Sequence, residues 1–192
     1  MPRVADLVVL SFDTEAHFEA WLEKNHRTAP GVWVRFYKKG SGVVKLEYRG
    51  ALDVALCFGW IDSQLKRLDE VSYLQKFTPR GPKSVWSKNN REHVARLAKA
   101  KRMRPAGLAV VESAKRDGRW ERAYDSPKNM TVPPDFLAAL AKNRRAKAFF
   151  ETLSRANRYA IAWRLATAKK PETRARRMQS LLAMLARGER LH

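Results

Sequence analysis

A chain of 192 residues with 45% hydrophobic and 10% aromatic content has enough apolar material for a real core, which excludes wholesale disorder despite 30% charged residues. A single cysteine, Cys57, excludes an intrachain disulfide and a cysteine zinc cluster. Net charge is +20 and unevenly placed: residues 1–78 hold 11 Lys and Arg against 10 Asp and Glu, and residues 79–192 hold 28 against 9. A polycation of this kind attracts nucleic acid, anionic lipid or acidic partners, or is simply a solvated surface.

The N-terminal apolar run is interrupted by Asp6 and no small-residue cleavage site follows, so no signal peptide is expected. No stretch approaches the roughly 18 apolar residues of a transmembrane helix, and a cytoplasmic location is the expectation. Asp13 is placed to cap a short helix carrying Phe18, Trp21 and Leu22. After the break at Pro30-Gly31, Val32 to Tyr37 alternates as a strand, with Val32, Val34 and Phe36 on one face. Lys39 to Gly42 reads as a turn and Val43 to Leu46 as the returning strand of a first hairpin. Ala51 to Phe58 is a compact apolar helix ended by Gly59. Ile61 to Leu68 and Tyr73 to Thr78 form a second hairpin around Asp69-Glu70.

Thr78-Pro79-Arg80-Gly81-Pro82 is a stiff loop, because two prolines fix φ. Beyond it the pattern is helical. Ser87 or Asn89 caps a helix to about Met103, with Glu92 at capping-box distance from Asn89. Pro105 opens the next helix and Gly118 ends it. An irregular stretch from Trp120 through Pro127 to Pro134 precedes helices at 135–141, 144–153, 155–168 and 172–187, the last closed by Gly188. These elements predict an α+β fold: an N-terminal helix and two β-hairpins in a small antiparallel sheet, then a helical C-terminal half. The expected organisation is one domain over 1–192, mixed helix and hairpin over 1–80 and basic and helical over 81–192. Any boundary is expected near residues 118–134.

The segment from Trp60 to Arg91 concentrates polar-tipped side chains on a stiff loop entering a helix. Free N–H groups and the helix dipole make such a place suited to an anion. Asp62, Gln64, Tyr73, Gln75, Arg80, Lys83, Trp86, Ser87, Asn90 and Arg91 are the candidate ligand-binding residues. Ordinary capping, core packing and solvation account for the same residues. The second candidate is the basic run holding Lys169, Lys170, Arg174, Arg176 and Arg177, an anion- or nucleic-acid-binding set at the start of the last helix. Cations there oppose the helix dipole and so do not serve helix stability. Met178, Leu181, Leu182 and Leu185 give that helix an apolar stripe.

The stretches PGVWVRFYKKGSG (Pro30–Gly42), ALDVALCFGWID (Ala51–Asp62) and YLQKFTPRGPKSVWSKNN (Tyr73–Asn90) resemble the bacterial YdeI/OmpD-associated, bacteriocin-protection family. PAGLAVVESAKRDGRW (Pro105–Trp120), VPPDFLAAL (Val132–Leu140) and NRYAIAWRLATAKKPETRARR (Asn157–Arg177) carry the same resemblance. The resemblance implies protection against bacteriocins or membrane-active peptides and a link to envelope stress. It brings no reaction and no catalytic residues. Family descriptions include periplasmic members, which this N-terminus does not match.

No catalytic set emerges from the residues. His17, His26, His93 and His192 are scattered without metal-ligand spacing, so no metal and no cofactor is expected. Cys57, between Leu56 and Phe58, reads as a buried inert thiol. Ser63 and Lys66 have a nucleophile–base spacing that requires a helix, where a strand is expected. The leading expectation is therefore a non-enzymatic binding protein for nucleic acid, another polyanion or a small anion, tied to stress or peptide resistance. The alternative is an enzyme acting on a small polar or phosphorylated substrate in a pocket of the 60–91 segment. A third reading uses the last helix at a membrane surface.

Overall fold

The computed structural model describes residues 7–125 and 129–191; Asp6, Pro127 and His192 of the readings above lie outside them. The chain divides into two compact units. The first comprises the residues up to Trp86 and Asn90–Arg122; the second comprises Ser87–Asn89 and the residues from Ala123 on. The change of unit at 122/123 falls in the irregular, proline-containing stretch. The fold is α+β with a helical C-terminal half.

Unit 1 is built on a four-stranded mixed sheet in the order β1-β2-β4-β3, from β1 (Val9–Leu10), β2 (Val32–Tyr37), β3 (Trp60–Arg67) and β4 (Ser72–Pro79). β1 runs parallel to β2, and the other pairings are antiparallel. The period-2 reading of β2 holds: Val32, Val34 and Phe36 are buried and the residues between them are half-buried. One of the two expected hairpins forms, β3 with β4, bulged between Asp62 and Leu65. The other does not. β2 pairs instead with β4, from Val32 opposite Phe77 to Tyr37 opposite Ser72.

The reason lies in the cross-strand partners. β4 offers Tyr73 to stack on Phe36 at 5.6 Å and Phe77 at 6.3 Å from the same ring. The 43–46 segment offers Val43 and Val44, both of which are exposed. That segment serves as a connection, with Leu46 buried and its N–H donated to the Phe12 carbonyl at 3.2 Å.

α1 (Glu15–Asn25) is capped by Thr14, whose hydroxyl accepts the His17 N–H at 3.3 Å; Asp13, the residue expected in that role, instead pairs with Lys45 at 2.7 Å. Phe18 and Leu22 point into the core. α2 (Tyr48–Cys57) is buried continuously from Ala51 to Cys57. α3 (Lys88–Lys99) begins directly after Ser87, and Asn89 lies inside the helix, not at a cap. α4 (Pro105–Arg116) packs on the end of α2 through glycines. A Cβ on Gly107 would sit 2.2 Å from the Cys57 carbonyl oxygen, and one on Gly59 would meet Val110 at 2.8 Å. Only the missing side chains allow the two backbones to approach so closely.

Unit 2 is helical, with α5 (Pro134–Ala141), α6 (Arg144–Thr152), α7 (Arg155–Ala166) and α8 (Pro171–Ala186). Asn143 and Ser154 cap α6 and α7 by accepting N–H groups at 3.0 and 3.3 Å. Pro134 and Pro171 occupy first-turn positions, where the missing N–H is harmless. The core gathers Phe136, Leu140, Phe150, Ile161, Leu165, Leu181 and Leu185. Met178 and Leu182 pack against it, so the stripe on α8 faces its own unit, which removes the apolar face that the membrane-surface reading needed. Among the described residues no helix is long and apolar enough to cross a membrane.

Candidate anion-binding site

Within the Trp60–Arg91 segment the structure gathers cations and aromatic rings, but turns them inward. Arg80 is 8% exposed, its guanidinium lies 3.6 Å from the Trp86 ring centre, and its Nη1 donates to the Val85 carbonyl at 3.1 Å. Arg91 lies 5.2 Å from the Trp120 ring centre and donates to the Trp120 carbonyl at 2.9 Å. The two indoles meet edge to face at 4.8 Å. A guanidinium over an indole is held by the ring's negative face. This stack ties the 80–86 loop to the turn after α4.

The other candidates of the segment separate. Gln75 is buried and donates its amide to the Gln64 carbonyl at 3.2 Å across the β3/β4 pair. Asp62 accepts the Tyr48 hydroxyl at 2.8 Å. Tyr73 lines a 660 Å³ cavity under the 38–47 loop, and burial pushes its phenol up from the ordinary value. Lys83 is exposed, and Ser87 and Asn90 are buried.

One cluster of unit 1 escaped the sequence reading. Asp53, on α2, is 7% exposed and accepts from His93 Nδ1 at 2.6 Å and from Arg96 Nη2 at 2.6 and 2.7 Å. Burial pushes its carboxyl up, but the hydrogen bonds from Arg96 and His93 more than offset that and hold it below the usual range. A signal was available: one carboxylate inside an otherwise apolar helical run needs a buried cation. His93 and Arg96, three apart on one helix face, are a matching pair. Asp53 and Arg96 also edge a 540 Å³ cleft with Asp13, Lys45, Glu47 and Arg49.

The basic run of α8 behaves differently. Arg174 forms a two-pronged ion pair with Asp135 at 2.5 and 2.9 Å, which holds that carboxyl below its ordinary value. Arg177 donates to the Arg164 carbonyl at 2.7 Å, in the last turn of α7, and so fastens α8 to that helix end. Arg176 is exposed, as are Lys169 and Lys170 in the α7–α8 connection. Arg176 and Arg177 share a 440 Å³ cavity with Arg164, Trp163 and Ser180, and Leu181, Met184 and Leu191 supply its apolar wall. Arg164, at the end of α7, adds a cation that lies outside the basic run at 169–177. Its spacing from Arg176 across a loop is a tertiary fact with no local signature.

Among the described residues no group of three or more His, Cys, Asp or Glu could hold a metal ion. The Cys57 thiol is buried and pushed up to about 11 by desolvation, the environment of an inert thiol.

Two families match, one in each unit. Residues 10–110 match the family described as Domain of unknown function (DUF8412). Residues 129–188 match the family described as Bacteriocin-protection, YdeI or OmpD-Associated. The motifs between Pro30 and Asn90 therefore fall in the first match, and those between Val132 and Arg177 in the second. No curated protein and no solved structure matches.

Proposed function

We propose that this chain, which belongs to the DUF8412 family and carries a YdeI/OmpD-associated domain, is a non-enzymatic polyanion-binding protein that acts through its C-terminal unit. The observation that carries the reading is the cavity where Arg164, Arg176 and Arg177 converge. Arg164 and Arg176 have side chains exposed and uncommitted to any carboxylate among the described residues. Residues 123–192 hold 15 Lys and Arg against 5 Asp and Glu, and Asp125, Asp135, Glu151 and Glu189 already sit in ion pairs. Glu172 is the one other acid of these residues, so the unit keeps a strongly positive field, which favours a phosphate-rich partner. The family's description supports placing this binding in bacteriocin or antimicrobial-peptide resistance and stress.

The test is fluorescence anisotropy of labelled single-stranded DNA, duplex DNA and RNA over a range of salt. Binding is expected to weaken steeply with salt, and Arg164→Glu with Arg176→Glu to lower affinity by more than about tenfold. Unchanged affinity in the double variant, with circular dichroism intact, would sink the site. The enzyme alternative keeps one supporting observation, Tyr73 at the 660 Å³ cavity. Asp62 and Gln75, which it also needs, are engaged with Tyr48 and Gln64.

A further inference from the structure

The cavity at the α7–α8 junction is not a phosphate cradle alone. Trp163 forms part of its lining, with Leu181, Met184 and Leu191 as apolar partners beside Arg164, Arg176 and Arg177. Tyr124 meets the Trp163 ring edge-on at 6.1 Å and 89°, which holds the half-buried indole in place while it lines the cavity. An aromatic and apolar wall does nothing for a phosphate. It suits the face of a planar ring, and 440 Å³ is of the size that takes one, within the roughly 300–1,000 Å³ of ordinary ligand sites. A ring in the cavity and phosphates on Arg164 and Arg176 at its rim are the two halves of a nucleotide. Lys169 and Lys170, in the connection leading to α8, are exposed cations of the same basic run.

We infer that this site binds single-stranded nucleic acid, with one unstacked base seated against Trp163 and its flanking phosphates on Arg164 and Arg176. The inference rests on the polyanion reading and adds to it the selection of single strands. A base inside a duplex is stacked and paired, and reaches a concave site only by flipping out, at a cost in free energy that a single strand does not bear. Stacking on an aromatic ring is tolerant of sequence, because every base presents a π-face.

The experiment compares strands of equal length and equal phosphate number on the full chain: oligothymidylate, an abasic strand and a duplex, at low and near-physiological salt. Oligothymidylate is expected to bind about tenfold tighter than the abasic strand, the contribution of one stacked base, with the same salt slope. Trp163→Leu is expected to erase that difference. Equal binding of the two strands by the unmodified protein overturns the stacking inference and leaves the polyanion reading standing. So does a duplex that binds tighter than oligothymidylate at near-physiological salt. Thymidine monophosphate competing as well as the strand overturns it in favour of a small ligand. No binding of any strand at low salt removes both readings together.

Discussion

The two units use the same residue, arginine, in opposite ways. In unit 1, Arg80 and Arg91 lie over Trp86 and Trp120, Arg96 clamps Asp53, Arg104 bridges Glu19 and Glu23, and Arg119 is buried against Asp117 and the Ser84 carbonyl. In unit 2, Arg174 and Arg177 fasten helices, while Arg164 and Arg176 open onto a cavity. Composition explains the contrast. Unit 1 has 23 Lys and Arg against 14 Asp and Glu, whereas unit 2 has 16 against 5. Where acids are plentiful, guanidinium groups such as those of Arg96, Arg104 and Arg119 are held in ion pairs. Where acids run out, a guanidinium faces solvent and remains available to a ligand. Net charge alone therefore does not locate a binding site; the proposed one rests on the local supply of counter-charges.

The largest effect expected from breaking this comparison is in the core of unit 2. Phe136 is fully buried, and Phe136→Ala is expected to cost about 4 kcal/mol in urea denaturation, from lost transfer energy and the cavity left behind. Cys57 then reports on the other unit, because its buried thiol reacts only when unit 1 opens. One domain over 1–192, the organisation proposed from sequence, predicts that Phe136→Ala accelerates Cys57 labelling in step with global unfolding. A labelling rate unchanged from the parent chain would make the units separate folding domains.

A smaller loss is expected at the buried ion cluster of unit 1. Asp53→Ala leaves His93 without its acceptor and Arg96, which is half exposed, free to turn to water, so about 3 kcal/mol is expected, at the low end for breaking a buried pair. The pH dependence has a definite sign. The folded carboxyl titrates below its ordinary 3.8, so its contribution is fully present above that value and is lost as pH falls through the depressed one. Asp53→Asn is expected to flatten the stability profile on the acid side of pH 4, roughly. An acid limb as steep as the parent's would show that other carboxylates carry it.

How much of this was legible in the sequence follows range of interaction. Helix ends written in one or two residues were readable: Gly59, Gly118 and Gly188 all hold positive φ just past a helix, and Pro105 opens α4. The alternation in Val32–Tyr37 gave the buried face of β2. Strand partnership was not readable, because the choice between 43–46 and 72–79 as the neighbour of β2 depends on which side chains meet Phe36 in space. The short β1, paired in parallel with β2, has no local pattern at two residues. The same limit applies to the sites. The basic run before and in α8 was visible as a run, but Arg164 joins it only because α7 and α8 pack together. Arg80 and Trp86 were read as partners for a ligand because nothing local says that they partner each other.

The smallest effect on stability is expected where the effect on binding is largest. Arg164→Ala and Arg176→Ala each remove an exposed guanidinium with no acid to abandon, so thermal or urea stability should stay within about 0.5 kcal/mol of the parent. Each should nevertheless flatten the dependence of log affinity on log salt by about 0.7 for a single strand, one counterion-releasing phosphate contact per residue. Arg91→Ala, a cation of unit 1 with a carbonyl and an indole of its own, should do the reverse, lowering stability and leaving the salt slope unchanged. Loss of slope at Arg91 together with none at Arg176 would move the binding surface into unit 1. That result would also break the inference that cations without internal partners mark the site, since the best-partnered arginines would then be the functional ones.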